Sequence, residues 1–150
     1  MTTVHLAGRP VPQGGLIAMH TANGRLRMRN KPSLVDYRGR LAAELARERH
    51  GGATLTTAVS VLISVQLDRP AGHYLPANSK RPAPQLRTDA PSWPTGRNSG
   101  DVDKLARTVL DALVIAGLLA DDSQVVSLQV RKGWADELPA GVHVTVVEVD

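Results

Sequence analysis

Apolar positions change their period several times along the chain, and each change marks an element. Thr3 to Ala7 reads as a short first strand, stopped by Gly8 and the prolines at 10 and 12. Residues 8–32 are rich in glycine and proline with little periodicity, which predicts a loop. Leu34, Tyr37, Leu41 and Leu45 then recur at helical spacing and predict a helix over Ser33–His50. Ser33 with Asp36 resembles a capping box at its start, and Gly51-Gly52 ends it. From Ala58 to Leu67 the period is two. Val59, Val61, Ile63, Val65 and Leu67 share one face and Ser60, Ser64 and Gln66 the other, as in a half-buried strand.

Residues 68–100 lack a hydrophobic set, and six of the ten prolines fall between Pro70 and Pro94, so a long basic surface loop is predicted there. Helical spacing returns at Leu105, Val109, Leu113 and Ala116, for a second helix from about Asp103 to a breaker at Gly117. Val126, Leu128 and Val130 alternate with Ser127 and Gln129 in a third strand. Val142, Val144 and Val146 form the last, and the shift of phase to Val147 and Val149 predicts a bulge. The order β-α-β-α-β-β implies a single α+β domain over residues 1–150, with a mixed sheet and helices on one face.

Composition narrows the function classes. A chain of 150 residues holds one core, and with 3% aromatics and no Phe that core must be Val, Leu, Ile and Ala. The absence of cysteine excludes disulfides, thiolate metal sites and cysteine nucleophiles, and suits a reducing cytoplasm. The N-terminus has no signal-peptide pattern, and the longest apolar run, Ala112 to Ala120, is far short of a membrane span. The expected location is therefore cytoplasmic, in a host cell if the gene is viral. A net charge of +4 favours a polyanionic partner, most simply nucleic acid.

Candidate chemistry gathers at residues 101–132. Asp101 and Asp103 open the second helix, and Asp121-Asp122 follow its end. Mg²⁺ takes oxygen ligands at about 2.1 Å and can activate water against a phosphoryl group, as phosphodiester hydrolysis requires. In an extended segment Asp101 and Asp103 would point the same way, and Asp122 could be a third ligand. The same residues also suit plain structure. Asp103 is a natural N-cap, Asp101 complements the helix dipole, and Asp121-Asp122 is ordinary turn chemistry. Spacing alone leaves both readings open. No P-loop, HExxH or G-x-S-x-G pattern occurs, and the five histidines are scattered.

Asp101-x-Asp103-Lys104-Leu105, Leu110-Asp111-Ala112-Leu113, Asp121-Asp122-Ser123-Gln124-Val125-Val126 and Lys132 resemble the signature of RusA-type Holliday-junction resolvases. Gly8-Arg9-Pro10-Val11-Pro12-Gln13-Gly14 and His73-Tyr74 resemble the longer members of that family. The resemblance implies a RusA-like, Mg²⁺-dependent endonuclease (Mn²⁺ a possible substitute), with Asp101, Asp103 and Asp122 as the catalytic, metal-binding set. Arg107 stands where the family has a functional lysine, and Lys104 where it often has Asn. Asp111 reads as structural, two turns into the helix.

Helix length adds a constraint. Asp103 to Gly117 spans about 21 Å of helix, and five extended residues cover at most about 17 Å. One chain cannot easily bring Asp122 beside Asp103, whereas a two-fold homodimer with antiparallel helices can share each site between chains. Such a dimer fits branched DNA, a four-way junction cut on two symmetry-related strands. Arg25, Arg27, Arg29, Lys31, Lys80, Arg81, Arg97, Lys104, Arg107, Arg131 and Lys132 are the candidate DNA contacts. The rival reading is a basic DNA-binding protein without chemistry.

Overall fold

The computed structural model describes all 150 residues. Its elements in chain order are β1 (Thr2–Ala7), β2 (Ile17–His20), β3 (Leu26–Arg29), α1 (Pro32–Glu48), β4 (Val59–Leu67), β5 (Tyr74–Leu75), β6 (Gln85–Leu86), α2 (Val102–Ile115), β7 (Val125–Trp134) and β8 (Gly141–Glu148). Four strands make the main sheet in the order β1-β8-β4-β7. β4 pairs parallel to β7 and antiparallel to β8, so the sheet is mixed.

Alternation decides which side is covered. Val61, Ile63 and Val65 lie opposite Val146, Val144 and Val142 in register, and all six are buried. Both helices pack on that face through Tyr37, Leu41 and Leu45 of α1 and Leu105, Val109 and Leu113 of α2. The other face carries Thr3, His5, His143 and Thr145, with the His5 and His143 rings stacked at 4.3 Å. β7 is left as an edge strand.

Three local expectations are corrected. The segment 8–32 is not all loop. Ile17–His20 and Leu26–Arg29 pair as a hairpin, turned at Gly24 with φ +73°. All four β3 residues are exposed, so no inside/outside contrast announced the strand. The first helix has no capping box. Pro32 fixes its first turn, and Asp36 binds Arg40 instead of a backbone amide. No bulge occurs in the last strand, whose register with β4 is regular to Glu148. The irregularity sits at the start of the β4–β7 pairing. Val147 simply faces the uncovered side.

The proline-rich stretch is anchored rather than loose. It contains the short β5–β6 pair and is tied to the end of β7 by Arg69. That guanidinium lies 2.7 Å from Asp136, donates to the Pro91 carbonyl at 2.9 Å and stands 5.2 Å over the Trp134 ring. The hydrogen bond from Arg69 holds the Asp136 carboxyl below its usual pKa. A depressed folded-state pKa adds stability that is complete above the unfolded value, about 3.9, and fades as the pH falls through the folded one. Asp136→Asn should therefore melt below wild type at pH 7, with the gap closing under acid. Thermal unfolding across pH measures it. No helix is long and apolar enough to cross a membrane.

Candidate active site

The helix begins at Val102, which makes Asp101 the N-cap residue and places Asp103 in the first turn. This corrects the expectation of an extended 101–103 segment and of Asp103 as the cap. Neither carboxylate is spent on the backbone, because the cap has no side-chain hydrogen bond. Asp101 pairs with the Lys104 ammonium at 2.7 Å. The Lys104 hydrogen bond and charge, with a smaller contribution from Lys132, hold the Asp101 carboxyl below its usual pKa. Asp101 first and Asp103 second raise the pKa of Lys104 in turn, so one ammonium faces both acids. Arg107 follows Asp103 by one helical turn on the same face, and both are exposed.

Contacts that the sequence did not disclose fix this end of α2. Gly100 adopts φ +79°, a left-handed turn in which an added Cβ would sit 3.4 Å from Leu105 and 3.5 Å from Pro12. Lys132, expected to face DNA, instead turns inward and donates to Ser99 Oγ at 2.8 Å and to the Gly100 carbonyl at 2.7 Å. Residues 9–13 strap the helix. Gln13 N donates to the Lys104 carbonyl and Thr108 Oγ1 to that of Val11, each at 3.0 Å. Arg38 bonds Gln13 and pairs with Asp111 at 2.9 Å, a helix-to-helix tie that gives Asp111 a structural role. Thr108 is a polar residue fully buried among the core positions of α2. Lys132→Met removes the bonds to Ser99 and Gly100 and should loosen the 99–101 turn; faster amide hydrogen exchange at Gly100 and Asp101, with the core unchanged, would show it.

At the far end, α2 runs unbroken to Gly117, where φ +67° and the Leu118 N–H to Leu113 carbonyl bond of 3.1 Å close the helix. Asp121 then caps a 3-10 turn, accepting from Ser123 N at 2.8 Å, while Gln124 Oε1 accepts from the Asp121 N–H at 3.0 Å. The Ser123 bond holds the Asp121 carboxyl below its usual pKa. Asp122 is exposed and in no ion pair. One of the two adjacent acids is structural, the other free.

The chain does not bring Asp122 back to Asp103. β7 starts beyond Asp122, and Lys132, whose ammonium bonds the turn before α2, lies seven residues after Val125, about 23 Å of strand. No three acidic or histidine side chains of one chain group closely enough to hold a metal ion.

Of the eleven candidate DNA contacts, only Lys104 is engaged in an ion pair. Arg27 and Arg29 alternate along β3, Arg25 and Lys31 flank it, Lys80 and Arg81 sit at the β5–β6 turn, Arg97 opens a 3-10 turn before Asp101, and Arg131 is on β7. In contrast, Arg38, Arg40, Arg47, Arg69 and Arg87 are all neutralised by acids. Apart from Lys132, which bonds the 99–100 turn, the cations left without acidic partners are those available to phosphate.

Exposed carboxylates at both ends of α2, with cations that lack acidic partners around them, sit on an α+β domain with a mixed sheet. The model of the family Endodeoxyribonuclease RusA matches residues 7–147. The chain belongs to that family, hydrolases that act on Holliday junctions. A comparison with curated proteins found no match.

Proposed function

We propose that the chain works as a two-fold homodimer that resolves four-way DNA junctions in recombination and repair by paired hydrolysis of two strands. Each site takes Asp101 and Asp103 from one chain and the partner's Asp122, and uses Mg²⁺, with Mn²⁺ as a substitute. The observation that carries the reading is the separation of exposed acids, Asp101 and Asp103 from Asp122, to opposite ends of an unbroken α2, with no complete donor set in one chain. Hard oxygen donors that cap nothing suit a hard divalent cation.

The edge strand supports the assembly. β7 has an unpaired hydrogen-bonding side and exposes Val126 and Leu128, and α2 exposes Ile115. An uncovered apolar edge is a template for another strand. Antiparallel pairing of β7 with its copy about Ser127 sets the partner's Asp122 across from Lys132, the residue that holds the Asp101 turn.

When bound, the metal supplies charge neutralisation and a polarised water. Arg107, one turn from Asp103, offsets repulsion between the phosphate and the acids, and Lys104 balances the acid pair. The arginines of the β2–β3 hairpin, with Lys31, Lys80, Arg81, Arg97 and Arg131, hold phosphates and recognise the junction by shape.

Gel shift and Mg²⁺-dependent cleavage of four-way and linear duplexes test the proposal. Symmetric incisions in the junction and little cutting of linear DNA are expected. Binding without incision would favour the non-catalytic reading. Affinity should fall steeply with salt, and alanine at Arg25, Arg27 and Arg29 together should lower that slope by about three.

A further inference from the structure

Beside the acid pair lies a cavity of about 600 Å³ whose walls include Trp93, Trp134, His73, Gln66, Arg97 and Ser99. Both tryptophans of the chain are there. We propose that this cavity is a nucleobase subsite, which takes one unstacked base from the strand beside the cleaved phosphate and makes cutting depend on that base. The inference rests on the junction-cleaving reading above and deepens it.

Position is the first argument. Ser99, in the cavity wall, precedes Asp101 by two residues, a span of at most about 7 Å. Lys132 binds Ser99 and Gly100 together, so the cavity wall and the acid-bearing turn form one rigid piece. At about 3.4 Å per stacked step, a base in the cavity belongs to a nucleotide within about two steps of a phosphate at the acids.

Chemistry is the second. Trp134 is locked in place, with its Nε1 donating to the Pro91 carbonyl at 2.8 Å, Arg69 over its ring and the His73 edge 5.1 Å away. Trp93 is different. It is 63% exposed, and its ring is the aromatic surface left available for stacking. Polar groups for the base edge are already desolvated. Gln66 is buried and donates its Nε2 to Ser64 Oγ at 2.8 Å, which leaves Oε1 to accept. His73, also in the wall, has an enclosed Nδ1 without a hydrogen-bond partner. Arg9 and Arg97 supply positive charge for the attached phosphates. Aromatic faces, a few buried polar groups and cations together suit an unstacked nucleotide, and a branch point is where extruding a base costs least.

Because both tryptophans line the cavity, intrinsic fluorescence of the whole protein reads its occupancy. Wild-type protein in EDTA is titrated with four-way junctions, each carrying one abasic nucleotide at a different position near the branch. The intact junction should quench the fluorescence. One abasic position should abolish most of the quench and slow Mg²⁺-dependent cleavage about tenfold while gel-shift affinity stays near that of the intact junction. Trp93→Ala should slow cleavage to the same degree and lose the dependence on base identity, and Trp93→Phe should keep both. Quenching indifferent to every abasic position, or Trp93→Ala cutting all sequences at the wild-type rate, would overturn the subsite. Wild-type protein that binds junctions without cutting them would instead sink the nuclease reading, and the quench would still report on the cavity.

Discussion

Asp103→Asn and Asp122→Asn proteins, each inactive alone, should regain Mg²⁺-dependent incision when unfolded together and refolded as a mixture. Each lost carboxylate removes part of a charge set worth several kcal/mol in the transition state, so either variant should fall by at least about a hundredfold. Free reassortment makes half the dimers mixed, and each mixed dimer has one complete site, so about a quarter of wild-type sites should return. The product pattern is as informative as the rate. A mixed dimer has one working site, so it should nick one strand of a four-way junction and fail at the paired cut. No recovery, with both variants folded and binding DNA, would mean that the acids are not shared.

The second large effect is expected at the edge strand. In the proposed dimer, Val126→Lys with Leu128→Lys would set like charges against each other across the two-fold axis, a juxtaposition that costs several kcal/mol. Both positions are exposed in the single chain, so the fold should survive. Sedimentation should show monomer, circular dichroism an unchanged α+β spectrum, and cleavage a drop of at least about a hundredfold. A variant that stays dimeric would move the interface elsewhere on the surface.

The framework was legible in the sequence where burial imposes a period. Val61, Ile63 and Val65 alternate because only one side of the sheet is covered by helices, and Leu105, Val109 and Leu113 recur because α2 buries one stripe. The β2–β3 hairpin was not legible, since Leu26, Arg27, Met28 and Arg29 are all exposed and leave no contrast to read. At the site, rise per residue was enough to foresee that an unbroken α2 parts Asp103 from Asp122. What separates Asp121 from Asp122 was out of reach, because it depends on which carboxylate meets the Ser123 amide. The inward turn of Lys132 was equally hidden, since a lysine in a basic strand reads as a phosphate contact until the Gly100 carbonyl is found beneath it.

The inward turn of Lys132 places three tasks on a single strand. β7 offers the free edge, follows directly from the turn that bears Asp122, and fastens the loop that presents Asp101. On the proposed sharing of acids, a solitary molecule would hold only part of each site. If the proposed dimer is the cutting form, incision should rise with the square of protein concentration below the dimerisation constant.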